Sequence, residues 1–233
     1  MPSKRLNQQV ARAGIASRRG SEALIERGEI SVNDQVVKTP YFRVDPDKDI
    51  ITWRGKALPQ RVSPLLIVLN KPKGWICSTS PREGKRLVTD IFKPLGVRLF
   101  TVGRLDRDTT GLLLLTNDGD LCQKIIHPSS SLTKEYLIKC REEITAQHLH
   151  ILRQGLKVEG VFVRPVKVRK VRRGTLKIGV KEGKKHEVRL MIRAAGLSLL
   201  MLHRIRVGGL HLGGIPEGQW RQLQAGEERV IFE

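Results

Sequence analysis

The segment Gly103-Arg104-Leu105-Asp106-Arg107-Asp108-Thr109-Thr110-Gly111 runs directly into Leu112-Leu113-Leu114-Leu115-Thr116-Asn117-Asp118. A Gly-bounded, charged stretch followed by four leucines reads as a loop entering a buried strand, because a short apolar run between turn signals has no solvent-facing side. The loop sets Asp106 and Asp108 among arginines. Asp in a loop commonly does no more than cap a turn. A carboxylate fixed at the edge of the core of a strongly basic chain also suits chemistry on an anionic polymer. Position alone leaves both readings open.

The whole chain narrows the choice. Its 233 residues, 39% hydrophobic and 28% charged, are enough for one large domain or two small ones of a soluble globular protein. No run of about 18 apolar residues occurs, and Met1-Pro2-Ser3-Lys4 lacks the apolar core of a secretory signal. Cys77, Cys122 and Cys140 are odd in number and lack Cys-x-x-Cys spacing, which predicts reduced thiols and a cytoplasmic location. Against 23 acidic residues stand 43 Lys and Arg, a formal charge of +20. Nucleic acid is the first partner to consider and an anionic membrane surface the second. The membrane is disfavoured because no strongly amphipathic helix carries aromatics on one face. Residues 1–60 hold 11 basic and 7 acidic residues, the remainder 32 and 16, so the second part carries most of the field.

Along the chain, residues 1–60 read as helix, helix, hairpin. Leu6, Val10 and Ala13 share helical spacing up to Gly14, and Ser17 is placed to cap a second helix through Ala23, Leu24 and Ile25 that ends near Gly28. Ile30 and Val32 alternate into an Asn33-Asp34 turn, and Val36 with Val37 begins the return strand. Such a unit buries little core, so its helix faces should touch a partner; Arg5, Arg12, Arg18 and Arg19 fall on or beside them, where an ordinary solvated face is the alternative. Residues 56–64 read as a linker to a second domain over 61–233. There Leu65–Leu69 reads as a buried strand, and 80–99 as a mobile loop with a short helix. Leu149, Leu152 and Leu156 predict a helix capped by Thr145, with Gly155 near its end. Val161, Val163, Val166 and Val168 are expected to pair with Leu176, Ile178 and Val180 across Arg173-Gly174. A helix is predicted over 184–195, with Val188, Met191, Ile192 and Ala195 inward, Gly196 as its stop, and His186, Arg189 and Arg193 on a neighbouring face. Strands and helices interleave without regular alternation, which predicts an α+β fold with a mixed, mostly antiparallel sheet. No internal repeat is present.

The loop string resembles the surroundings of the catalytic aspartate in RNA pseudouridine synthases, specifically the RsuA family that modifies ribosomal RNA. Leu69-Asn70-Lys71-Pro72-Lys73-Gly74 resembles the family's first motif, Lys134-Glu135-Tyr136 its tyrosine segment, and Gly183-Lys184-Lys185-His186-Glu187-Val188-Arg189 its third motif. Residues 4–60 resemble the S4 RNA-binding domain that the family carries at its N-terminus. The resemblance implies a site-specific isomerisation of uridine to pseudouridine in ribosomal RNA or a pre-ribosomal particle. It places Asp106 as the catalytic carboxylate, with Asp108 its rival by proximity alone. Tyr136 is expected to stack on the extruded base, its hydroxyl helping to remove the C5 proton, and otherwise reads as a core aromatic. Arg189 is expected to pair with Asp106 and keep it ionised; helix position alone reads as a surface arginine. Gly20 and Leu190 depart from the family pattern, which usually has a better helix former and a second basic residue there.

Around this trio, Leu112 and Leu113 are expected to wall the pocket or simply fill the strand core. Lys71 and Arg104 read as phosphate contacts, as do His186, Arg193, Arg204 and Arg206. His203 and His211 read as meeting phosphate or solvent, and His148 with His150 as an incidental pair. An isomerisation requires no cofactor or metal by stoichiometry. A monomer is the default expectation. The string from Thr109 to Gly119 and His127-Pro128 favour large-subunit RNA, whereas His186 favours the small-subunit branch. The competing readings are a non-catalytic RNA-binding or ribosome-assembly protein on the same scaffold and a nuclease, the latter disfavoured because its metal carboxylates or paired histidines are absent.

Overall fold

The structure is a computed structural model that describes residues 3–59, 63–78, 84–158, 160–181 and 186–233. The chain forms two compact units. One comprises residues up to Pro64 with Leu95–Arg98 and Asn117–Gly119; the other holds Leu65–Pro94, Leu99–Thr116 and Asp120–Glu233.

In the first unit, β1 (Lys4–Arg5) leads into α1 (Leu6–Arg12), which packs on α2 (Arg18–Glu26). Leu6, Val10 and Ile25 join Ile30, Val32 and Val44 in one buried cluster. Ser17 caps α2, its Oγ accepting from the Gly20 amide at 3.0 Å. A Cβ on Gly20 would lie 3.1 Å from Ala16 Cβ and 3.2 Å from Ser17 Oγ, so the missing side chain has a local steric reason. Asn33 and Asp34 both adopt positive φ, 47° and 64°, and close the hairpin of β2 (Ile30–Val32) and β3 (Gln35–Val36). Double positive φ is the two-residue turn whose twist matches its strands. β4 (Arg43–Val44) pairs with β1, while β5 (Ile51–Trp53) and β6 (Lys56–Ala57) extend the hairpin into a four-stranded sheet ordered β3-β2-β5-β6. Residues 56–57 therefore belong to a sheet edge rather than to the expected linker; residues 60–62 of that linker lie outside the described residues.

The second unit is built on a nine-stranded sheet. Its members are β7 (Leu66–Lys71), β8 (Phe100–Val102), β9 (Thr110–Thr116), β10 (Lys134–Cys140), β13 (Lys167–Arg172), β14 (Thr175–Val180), β15 (Leu199–Val207), β16 (Leu210–His211) and β17 (Trp220–Gln222). The order is β13-β14-β10-β15-β9-β7-β17, with β16 on β15 and β8 on β9. Every pairing in this sheet is antiparallel except β15 with β9, which meet at His203↔Thr110 and Arg204↔Gly111. This short parallel seam joins two antiparallel halves. On one side, Ile138, Leu176, Ile178, Val180 and Leu202 pack under α4 (Ala146–Gln154) and α5 (Glu187–Ala194). On the other, Leu66, Val68, Leu112 and Leu114 pack with Ile125 of α3 (Gly119–Ile126). The fold is α+β, as the interleaved pattern predicts.

Three local expectations change. Val161 and Val163 form β12 (Val161–Val163), which pairs with β11 (Leu156–Val158) rather than with β14; Val168 meets Ile178, and Val166 N donates to Gly179 O at 2.7 Å. Leu156 thus lies in a strand, because Gly155 ends α4 with φ 90° before the expected last turn. The helix predicted from 184 begins at Glu187; residues 182–185 lie outside the described residues, and His186 stands before the first turn with φ 57°. Residues 79–83 of the expected loop are likewise outside them, and Val88–Leu95 forms a 3-10 helix.

Candidate active site

The Asp106 loop is fixed from below by β7. Thr109 N donates to Asp106 O at 3.1 Å to close a turn, and Gly74 N donates to Arg107 O at 2.8 Å. Lys71, at the end of β7, is fully buried. Its Nζ donates to the carbonyls of Thr109 (2.9 Å), Pro72 (3.0 Å) and Arg107 (3.3 Å). Burial lowers its pKa against the opposing pull of Cys77, Asp108, Asp106 and Glu217. The expected phosphate contact is therefore corrected: an ammonium bound to three carbonyls inside the core holds the loop. Leu105 N donates to Cys77 Sγ at 3.5 Å, and burial pushes that thiol up.

Across the loop stands α5. Val188, Met191 and Ile192 are buried, which turns Arg189 toward Asp106. Arg189 Nε lies 3.2 Å from Asp106 Oδ2, and its second nitrogen donates to Thr109 Oγ1 at 2.8 Å. One guanidinium fork thus fixes both the carboxylate and the turn behind it. His186 Nε2 lies 3.5 Å from Asp106 Oδ1, placing the imidazole on the carboxylate's other oxygen. The Asp106 side chain remains 39% exposed, so it is held yet open to a ligand. Asp108, two residues on, is exposed.

Asp106 lies between two cavities. The larger, about 690 Å³, is lined by Tyr136, Leu114, Val102, Val188, Leu202 and Arg204, with Lys134, Glu187, His186 and Arg189 at its polar side. The smaller, about 470 Å³, is lined by Cys77, Ser78, Lys85, Arg104, Arg107 and Asp108 together with Asp106, His186 and Arg189. Tyr136 is half-buried and stands directly across from Arg204 on β15, so the two side chains share a face of the sheet. Leu112 and Leu113 are fully buried and line neither cavity; Leu114 takes the role expected of them. Arg204 is also buried, with Nε donating to Leu112 O at 2.7 Å across the seam. It lines the cavity instead of meeting external phosphate.

The other basic candidates separate by environment. Arg18, Arg19, Arg104 and Arg193 are exposed and Arg12 is half-buried. Arg5 stacks over Tyr41 with 5.2 Å to the ring centre. Arg206 pairs with Glu135 at 3.3 Å and donates to Gly208 O. His203 Nδ1 lies 2.7 Å from Thr110 Oγ1, and burial lowers its pKa, so it supports the seam; His211 is exposed. His148 closes a reciprocal cap with Thr145 at the start of α4.

The RNA pseudouridylate synthase family model matches residues 65–194, and the S4 domain model matches residues 4–50. The chain belongs to the RNA pseudouridylate synthase family. With its S4 domain it has the make-up of the RsuA type. It is 43% identical to a putative chloroplastic ribosomal large subunit pseudouridine synthase of Arabidopsis thaliana, covering 98% of this chain and 60% of that protein. It is 34% identical to ribosomal large subunit pseudouridine synthase B of Bacillus subtilis, covering 98% and 95%. A crystal structure of a pseudouridylate synthase superposes with a TM-score of 0.71 at 27% identity, over 98% of this chain and all of that one.

Family motifs did not single out Thr109, Lys134 or Glu187, all of which meet at this site. Thr109 was legible only as part of the loop string, and Lys134 only as a neighbour of Tyr136. The Lys71 clamp leads to a first expected outcome. Lys71→Met should destabilise the fold by about 2–3 kcal/mol, because buried carbonyls lose their donor. The turnover rate at saturating RNA should fall as the loop shifts, while the salt dependence of RNA binding should not change. Thermal unfolding and a salt titration check this; a shallower salt slope would return Lys71 to the phosphate contacts.

Proposed function

We propose that this pseudouridine synthase isomerises one specific uridine of large-subunit ribosomal RNA, with Asp106 acting on the nucleotide. The observation that carries the reading is the Asp106 carboxylate, held by Arg189 and His186 at the mouth of a cavity of about 690 Å³, roomy enough for a flipped nucleotide, that Tyr136 and Leu114 line. The reaction breaks the bond between uracil N1 and ribose C1′, turns the ring, and joins C5 to C1′. The C5 proton leaves and N1 gains one, so the product is an isomer. Asp106 serves by attacking C1′, by adding to C6, or by taking a C2′ proton; each route needs a charged carboxylate beside the ribose. Tyr136 offers its ring for stacking and its hydroxyl for the C5 proton.

The uridine must leave its stack to reach Asp106, which costs a few kcal/mol and favours a loop or distorted stem as target. Arg104 is exposed beside the loop and suits the flanking phosphates. Residues 1–60, with Arg5, Arg12, Arg18 and Arg19, suit recognition of a nearby RNA helix by shape and phosphate. The large subunit is favoured because the chloroplast and Bacillus relatives carry that name. Reduced thiols at Cys77, Cys122 and Cys140 fit a cytoplasmic setting.

Pseudouridine mapping of ribosomal RNA from cells lacking the enzyme, incubated with the purified protein, tests this. One new pseudouridine in the large-subunit RNA is the expected result. A new site only in small-subunit RNA would overturn the choice of subunit. Tight, salt-sensitive binding with no product on RNA or on precursor particles would favour the assembly-factor reading.

A further inference from the structure

The sheet face opposite the active-site cavity carries a cationic surface that the reaction does not use. Helices α4 and α5 cover the face bearing Ile138, Val168, Leu176, Ile178, Val180 and Leu202, and the cavity residues Tyr136 and Arg204 share it. Side chains alternate along a strand, so the intervening residues point the other way. These are Lys167, Arg169 and Arg172 of β13, Lys177 of β14 and Lys139 of β10. Four are exposed and Lys177 is half-buried.

Register places them together. Arg169 is directly opposite Lys177, Lys167 is opposite Gly179, and Arg172 is opposite Thr175, which on its other side faces Lys139. Strict alternation would aim Val171 at this face. The register shift between Lys170 and Arg172 puts Arg172 there instead, since one extra residue re-aims the rest of the strand. The middle of the patch is low, with Gly179 and Thr175 both buried. The patch spans three strands, about 10 Å across.

Like charges directly opposite in an antiparallel pair repel, so Arg169 against Lys177 works against folding. Nearby acids do not relieve it. Glu135 pairs with Arg206, and Glu143 lies near Lys170 and Arg173. Among the described residues, none of the five cations makes an ion pair. A merely solubilising face would tolerate interleaved acids, whereas a ladder of one sign complements a polyanion.

We infer that the outer face of β13, β14 and β10, through Lys139, Lys167, Arg169, Arg172 and Lys177, binds the phosphate backbone of a second segment of the RNA whose uridine occupies the cavity. This rests on the RNA-modifying reading above. The contact is to phosphates, so it is independent of base sequence and engages only RNA long enough to pass around the β13 edge. A short oligonucleotide that fills the cavity does not reach it.

The test is amine acetylation of the full-length protein, read residue by residue by mass spectrometry, with large-subunit ribosomal RNA, short oligouridine or phosphatidylserine vesicles. Long RNA should slow modification of Lys139, Lys167 and Lys177 several-fold, and oligouridine should not. Product formation without protection of these lysines would overturn the inference and leave the enzyme reading intact. Neither product nor protection would sink both. Protection by vesicles but not by RNA would assign the face to a membrane and overturn the proposal. Independently, the variant K139Q/K167Q/R169Q/R172Q/K177Q should bind long RNA at least about tenfold more weakly near 0.15 M salt. Its salt slope should be shallower by about four, at roughly 0.7–0.9 for each of the five phosphates no longer neutralised. Its single-turnover rate at saturating RNA should match wild type. The triple variant K93Q/K124Q/R229Q, which removes charge elsewhere on the same unit, should leave affinity within about threefold. Equal loss per charge in the two variants would show only a general field effect and overturn the local contact.

Discussion

Asp106→Asn is expected to abolish pseudouridine formation, lowering the single-turnover rate by more than about 10⁴-fold, the scale seen when a reacting group is removed from an otherwise intact site. RNA affinity should change by less than about twofold. The two expectations separate because Asp106 is not a phosphate contact and lies among cations. Losing its charge removes nothing that attracts the RNA backbone. Asparagine is nearly isosteric, and its Oδ1 can still accept from Arg189, so the loop held by Lys71 and Thr109 should survive. The ion pair itself contributes little to stability, since Asp106 is 39% and Arg189 29% exposed and solvent screens the attraction. Unfolding midpoints of the variant and wild type should therefore lie close together.

The companion variant is Asp108→Asn. Asp108 is exposed and lines only the smaller cavity, so its loss should alter the rate by no more than a few-fold. Wild-type turnover by Asp106→Asn, or collapse of activity only in Asp108→Asn, would exchange their roles. Rates come from single-turnover quantification of pseudouridine, and affinities from fluorescence anisotropy with the same RNA at one stated salt concentration.

Features set by adjacent residues are legible in the chain, and features set by distant partners are not. The Asp106 loop and β9 are contiguous, so composition alone marked a charged turn running into a buried strand. The Asn33-Asp34 turn was equally legible because its backbone demand is met by two adjacent residues. Arg189 is legible as a partner of Asp106 only through the family resemblance, because helix position alone reads as a surface arginine. Charge, by contrast, does not announce burial. Lys71, Arg204 and Arg104 look alike in sequence, yet the first two are buried on carbonyls and only Arg104 faces solvent. The difference is made by partners distant in the chain, Thr109 of the loop and Leu112 of β9, which a linear reading cannot pair. His186, which helical spacing sets beside Arg189, stands before the first turn of α5 with positive φ, and both side chains reach Asp106. The valines at 161 and 163 alternate as a strand should, but alternation does not choose a partner strand.

The second large effect is expected from the seam. Gly111 opposes Arg204 in the short parallel pairing of β9 with β15, with φ of 103°. A Cβ built there would lie 2.2 Å from the Arg204 carbonyl oxygen and 2.6 Å from its nitrogen. No rotamer relieves this, because the obstacle is backbone. Gly111→Ala should therefore destabilise the protein by about 3–5 kcal/mol, combining left-handed strain with separation of the two strands. For a chain of this size that corresponds to a midpoint lowered by about 10 °C or more. Gly103→Ala isolates the strain alone. Its φ is 74°, but nothing lies within 4 Å of the added carbon, so about 1 kcal/mol is expected. Equal destabilisation by the two variants would mean the seam yields freely and the close approach is unimportant. If the seam instead resists, Gly111→Ala that remains folded should also lose rate at saturating RNA. Arg204 stands opposite Tyr136 on β10, while Asp106 is tied to the β9 side through Thr109 and Arg189. Pushing β15 away from β9 moves the cavity's aromatic wall relative to the carboxylate. A shift of about 1 Å in such a geometry is enough to lower turnover by roughly a hundredfold.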